Sequence, residues 1–203
     1  MPHADSSLVP PSIKTKVEFW EHVHAQLELL LDGQRNWVSN LANAASLIYN
    51  SLLAFPTFFG PDRNKAVNWC GFYVASHLFP TPRGATAAAP AHENKRLLLG
   101  PFCGKPACQF ITVHPTPRGV CADAFNQRRT VVVPEVDLYP GHIACDGETK
   151  SEIVCPLIVQ REDGTEEAVG VLDVDCLAVG GFDADDEMGL NRISELVVSA
   201  CDW

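Results

Sequence analysis

The chain has no apolar run approaching the roughly 18 residues that a membrane-spanning helix needs. Its first residues, Met1-Pro2-His3-Ala4-Asp5, lack the basic and apolar regions of a secretory signal. Its last, Ala200-Cys201-Asp202-Trp203, are no prenylation box, and position 2 is Pro rather than a Gly open to myristoylation. These absences argue against a membrane partner and make the cytosol the expected location. Positive charge is scarce: 15 Lys and Arg face 25 Asp and Glu, a net charge of -10. No basic cluster exceeds a pair such as Arg128-Arg129, so no nucleic-acid partner is expected. No Gly-x-Gly-x-x-Gly motif is present, and no nucleotide cofactor is implied. No internal repeat is visible.

What is there suits one domain with a packed core: 203 residues, 46% hydrophobic and 20% charged. Residues 1–11 read as a disordered lead-in, 12–203 as a single domain, and the Pro- and Ala-rich stretch 80–93 as a surface insertion. Val17, Trp20, His24, Leu27 and Leu31 recur at helical spacing, with Thr15 and Glu18 as a capping box and Gly33 as a stop. Val38, Leu41, Ala42, Ala45 and Leu52 repeat the pattern behind an Asn36 cap. Strands are expected at 69–75, 96–99, 109–113, 130–133, 153–160 and 168–174, with a hairpin at Glu162-Asp163-Gly164. A short helix fits 119–127. A last helix runs from about Ala184 to Cys201, capped by Asp183, with Leu190, Ile193, Leu196, Val197 and Ala200 as its buried stripe. Helices at both ends and about six strands between them predict an α+β domain: an antiparallel sheet with the terminal helices on one face.

Eight cysteines are many for a chain that needs no disulfides to hold its core. In a reducing compartment such clustering points to metal binding or redox chemistry. Cys70, Cys155, Cys176 and Cys201 sit in apolar segments and read as small buried hydrophobes. Cys103, Cys108, Cys121 and Cys145 stand in Gly- and Pro-rich stretches that read as turns. Cys121 falls at a helix N-terminus, where the dipole favours thiolate. Beside Cys145, His142 would favour the thiolate and Asp146 would oppose it. A zinc site built from Cys103, Cys108, His142 and Cys145 is the rival reading, without the tight paired knuckles of structural zinc. Asp173 and Asp175 flank Val174 and share a strand face, as surface acids near a turn also would.

Several motifs stand in order: Asn68-Trp-Cys-Gly-Phe-Tyr73, Leu99-Gly-Pro-Phe-Cys-Gly-Lys-Pro-Ala-Cys108, Gly119-Val-Cys121, Pro140-Gly-His-Ile-Ala-Cys-Asp146, Ser151-Glu-Ile-Val154 and Gly170-Val-Leu-Asp-Val-Asp175. Together, from about residue 36 to the end, they resemble the free methionine-(R)-sulfoxide reductases, small GAF-domain enzymes. The resemblance implies a GAF fold whose ligand pocket serves as an active site. It implies Cys145 as catalytic cysteine and Cys108 and Cys121 as resolving cysteines. Glu152, Asp173 and Asp175 become acids of the substrate pocket, with Trp69 and Tyr73 as its aromatics. It further implies free methionine-(R)-sulfoxide as substrate, thioredoxin or a similar dithiol as reductant, no metal and no cofactor. A homodimer is left open. Three carboxyls in one small pocket cannot all ionise cheaply, so one stays protonated as the acid for the sulfoxide oxygen, either Glu152 or Asp173. Two departures stand out: Cys103 replaces a common Gln, adding a fourth thiol, and Ala-Asp follows Cys121. A sensory GAF module that binds a small ligand is the alternative.

Overall fold

The computed structural model describes residues 9–62, 64–80, 95–143 and 146–203. Most of the expected lead-in, the expected insertion and Cys145 itself lie outside the described residues.

Helix α1 (Lys16–Leu31) opens on the expected box: Glu18 N–H donates to Thr15 Oγ1 at 3.2 Å, and Glu18 Oε2 accepts from Thr15 N–H at 3.0 Å. Gly33, at φ 77, turns the chain out of the helix. Its buried face is Lys16, Phe19, Trp20, Val23, Leu27 and Leu31, whereas Val17 and His24, expected in the stripe, are only partly covered. Helix α2 (Trp37–Leu53) starts at Asn36, whose Oδ1 accepts from Val38 N–H and Ser39 N–H. Here Leu41, Ala45 and Leu52 are buried as expected, but the face departs from expectation at its other positions. Val38 and Ala42 face solvent, while Asn40, Ala44, Ile48 and Ser51 point inward. Asn40 is tolerated inside because its amide donates to Gln34 O at 2.8 Å and Ala200 O at 2.9 Å.

The strands are β1 (Val67–Ala75), β2 (Arg96–Gly104), β3 (Phe110–Thr112), β4 (Val131–Val133), β5 (Ser151–Gln160) and β6 (Glu166–Cys176). They form one sheet in the order β3-β2-β1-β6-β5-β4, and every neighbouring pair is antiparallel. Helix α3 (Val120–Gln127) precedes β4, and α4 (Ala184–Ser199) follows the sheet behind an Asp183 capping box. Within α4, Leu190, Ile193 and Val197 are buried, whereas Leu196 and, at the C-cap, Ala200 are partly exposed. The α+β expectation, with helices from both chain ends on one face, holds. None of the helices is long and apolar enough to cross a membrane, among the described residues.

Two cores result. On one face α1, α2 and α4 close over Cys70, Phe72, Val74, Ile153, Cys155 and Leu172. On the other, Trp69, Tyr73, Leu97, Val154 and Val171 meet only the short α3 and the loops. Each fully buried Leu, Ile or Phe contributes about 1.5–3 kcal/mol, so the larger, helix-covered core carries most of the stability. The thinly covered second face leaves room for a cavity.

Candidate active site

Strand register brings the site together. Along β1, Trp69, Gly71 and Tyr73 point to the α3 face. Across the β1–β6 pair Trp69 faces Asp175 and Gly71 faces Asp173. Across the β5–β6 pair Glu152 faces Asp175 and Val154 faces Asp173. Directly opposed residues share a face, so three carboxyls are drawn to one patch of the sheet. The aromatic wall depends on Gly71. A Cβ there would stand 2.3 Å from Phe102 Cβ and 2.6 Å from Trp69 Cη2. Without it, the Trp69 ring stacks on Phe102 with centroids 5.5 Å apart and lies 5.9 Å from Tyr73. Tyr73 Oη donates to Cys108 O at 2.9 Å, fixing the chain that follows β2.

These groups line one cavity of about 340 Å3, which takes in Trp69, Tyr73, Cys108, Cys121, Glu152, Asp173 and Asp175. All seven expected site residues that are described therefore meet. Cys145, the eighth, lies outside the described residues, but its chain neighbours Ile143 and Asp146 also line the cavity. Ile111, Thr112, Thr116 and Thr149 belong to the wall as well, and nothing in their local sequence marks them. His142, expected either to favour the Cys145 thiolate or to join the rival zinc set, sits with Nε2 3.4 Å from Glu152 Oε2. Asp146 accepts from Asn68 Nδ2 at 3.2 Å and pairs with Lys105 at 3.1 Å, tying the His142 loop to β1 and β2.

The electrostatics of the cavity are those of crowded acids. Burial, then the neighbouring Asp175, push Glu152 up to about 7 against the pull of His142. Burial and then Glu152 push Asp173 well above the carboxylate range, and burial and then Asp173 do the same to Asp175. His142 is raised by its hydrogen bond to Glu152. Cys121 departs from expectation. It is the second residue of α3, where the dipole favours thiolate, but it is buried and its Sγ lies 3.3 Å from Asp173 Oδ2 and 4.0 Å from Glu152 Oε1. Burial and the two acids outweigh the helix, and its thiol is pushed well up.

Two buried polar atoms of the wall, Trp69 Nε1 and Asp173 Oδ1, have no hydrogen-bond partner among the described residues. Polar atoms left unmet in a pocket mark where a polar ligand is received. Cys121, Glu152 and Asp173 also offer ligand atoms within 4.8 Å of one another, the one group of metal-ligand type among the described residues. The zinc set read from the sequence loses Cys103, one of its described members. Cys103 is no turn residue but lies inside β2, opposite Cys70 and so on the helix-packed face, away from His142. Cys70, Cys155, Cys176 and Cys201 are buried, as expected.

The model of the GAF domain matches residues 66–201. Free methionine-R-sulfoxide reductase of Saccharomyces cerevisiae is 42% identical, covering 92% of this chain and 87% of its own length. The Escherichia coli protein of the same name is 33% identical over 88% of this chain and 86% of itself. Among solved structures, that of the Neisseria meningitidis free methionine-R-sulfoxide reductase with its substrate superposes with a TM-score of 0.70 at 31% identity, covering 96% of this chain and 95% of that one. The likeness extends along almost the whole chain, through the strands that carry the acids and the segments that carry the cysteines, and the chain belongs to the free methionine-R-sulfoxide reductases, oxidoreductases built on a GAF domain.

Proposed function

We propose that this protein reduces free L-methionine-(R)-sulfoxide to methionine, with cysteine thiols as the source of electrons. One observation carries the reading: a single cavity lined by Cys108, Cys121, three acids and two aromatics, with the unmet polar atoms Trp69 Nε1 and Asp173 Oδ1 inside it. The cavity suits a small amphoteric molecule whose ammonium needs carboxylates, whose thioether needs an apolar wall and whose sulfoxide oxygen needs a proton.

Cys145 acts as the nucleophile. Its thiolate attacks the substrate sulfur while Asp173, kept protonated by burial and by Glu152, donates to the oxygen. The oxygen passes to Cys145 as a sulfenic acid and methionine departs. Glu152, partly ionised through His142, and Asp175 hold the α-ammonium, and Trp69 and Tyr73 pack on the side chain. A second thiol then attacks the sulfenic sulfur, releasing water and leaving a disulfide. Cys121, protonated and donating to Asp173, is the poorer nucleophile, which makes Cys108 the first resolving residue. Thioredoxin or a similar dithiol of the cytosol reduces the disulfide by exchange.

The test is thioredoxin-coupled NADPH oxidation with each epimer of free methionine sulfoxide and with a peptide-bound sulfoxide. Turnover of the R epimer alone is expected, with Cys145→Ser inactive and Cys108→Ser slowed in recycling more than in its first turnover. Equal use of both epimers, or an active Cys145→Ser enzyme, contradicts the reading.

A further inference from the structure

Cys103 has no place in the chemistry above, and its position in the sheet suggests another role. In the β1–β2 pair Cys70 and Cys103 are direct partners. Opposed residues of an antiparallel pair share a face and hold their Cβ atoms about 4.5–5.5 Å apart. A disulfide needs about 3.5–4.5 Å between Cβ atoms, a distance that a slight closing of the strand pair supplies. The two thiols lie on the helix side of the sheet: Cys70 is in the core under α2, and Phe102, next to Cys103, stacks on Trp69 on the cavity side. Tyr49 of α2 is close enough to feel both sulfurs. Cys70 is wholly buried, whereas Cys103 is half-buried and open to a small reagent.

We propose that Cys70 and Cys103 form a second redox pair, closing to a cross-strand disulfide under peroxide stress independently of the cavity cysteines. The balance is that of two thiols and one peroxide. Cys103 sulfur attacks a peroxide oxygen, the O–O bond breaks, one water leaves and Cys103 carries a sulfenic acid. Cys70 sulfur then attacks Cys103 sulfur, the S–O bond breaks and a second water leaves. The pair loses two electrons and two protons, and hydrogen peroxide is reduced to two waters. Burial raises both thiols, so the reaction is slow at neutral pH, and Cys103 reacts first. The bond clamps the base of the hairpin whose connection carries the Pro- and Ala-rich stretch.

The experiment starts from the fully reduced, full-length protein. It is exposed to hydrogen peroxide, its remaining thiols are alkylated, and the unreduced digest is mapped by mass spectrometry. A Cys70–Cys103 linked peptide is expected, both in the wild type and in a Cys108→Ser, Cys121→Ser, Cys145→Ser variant. Closing this loop raises the thermal midpoint by on the order of 10 °C. Cys103→Ser should lose the linked peptide and the thermal rise while keeping reductase turnover within about twofold, the span of a change outside the site. Both residues recovered alkylated, or Cys103 linked to Cys108, Cys121 or Cys145, overturns the proposal. Because the linkage is read by mass, this test can fail while the reductase assay succeeds, and the reverse.

Discussion

His142 Nε2 and Glu152 Oε2 lie 3.4 Å apart at the wall of the cavity, joining the loop that leads to Cys145 to the start of strand β5. The contact makes the charge on Glu152 depend on an imidazole, and so on pH near neutrality.

Stability should therefore fall as pH rises through that range. The folded protein holds the Glu152 proton up to about 7, whereas the unfolded glutamate releases it near 4.5. Between those values the native state binds more protons, and raising the pH favours unfolding. His142 works in the same sense: its contribution is complete below its ordinary 6.5 and is lost as pH passes its elevated folded value. Glu152→Gln removes the carboxyl that must ionise inside the fold. It should gain on the order of 1–3 kcal/mol over wild type at mildly alkaline pH and lose at least about tenfold in turnover. Thermal unfolding across the neutral range measures the first and the coupled assay the second. An unchanged pH slope in Glu152→Gln would assign the titration to another group.

Trp69→Phe separates ligand recognition from packing. The ring still stacks on Phe102, but the indole N–H, which meets no acceptor among the described residues, is gone. Folding stability should be unchanged or slightly higher. Substrate affinity should fall by roughly fivefold to tenfold, the worth of one hydrogen bond. The KM for free sulfoxide and the thermal midpoint, measured together, check the two opposite signs.

Gly71→Ala should damage both properties at once. The added methyl collides with Phe102 and with the Trp69 ring, so the aromatic wall has to shift. Overpacking of this kind costs about 1–3 kcal/mol. Chemical denaturation should show that loss, and KM should rise with it. A Gly71→Ala protein with wild-type KM would mean that the Trp69 stack is not part of substrate binding.

Lys16 supplies a contrast far from the cavity. Its Nζ lies 2.5 Å from Asp186 Oδ2 in the α1–α4 contact, and Trp20 Nε1 donates to the other oxygen at 2.9 Å. Lys16→Met leaves Asp186 as a buried, uncompensated charge and should cost about 3–5 kcal/mol. The further change Asp186→Asn should recover part of it. KM should not move in either variant, which denaturation curves and the coupled assay together will show.

Local patterns were legible where local physics decides. The Thr15, Asn36 and Asp183 caps, the six strands and the shared face of Asp173 and Asp175 follow from spacing alone. The errors arose where distant contacts decide. The expected face of α2 included Val38 and Ala42 and left out Asn40, which is buried because it finds carbonyls of the α1–α2 loop and the C-terminal segment. Gly100 and Pro101 read as a turn, so Cys103 was expected in a loop, but β1 carries β2 on to Gly104. Cys121 has the helix terminus that favours thiolate, yet the acids opposing it come from β5 and β6. The meeting of all seven described residues in one cavity was expected only from the family likeness, since it depends on register between strands far apart in the chain.

That dependence on register makes the site a gauge of correct folding. Trp69, Glu152, Asp173 and Asp175 are held by the strand pairs β1–β6 and β5–β6 rather than by loops. A slip of one residue in either pair would turn ionisable groups into the hydrocarbon beneath α1, α2 and α4 and bring Phe72 or Ile153 out among the ligands. Such a misaligned sheet is heavily penalised and also inert, so folding accuracy and chemical competence are enforced by the same carboxyls.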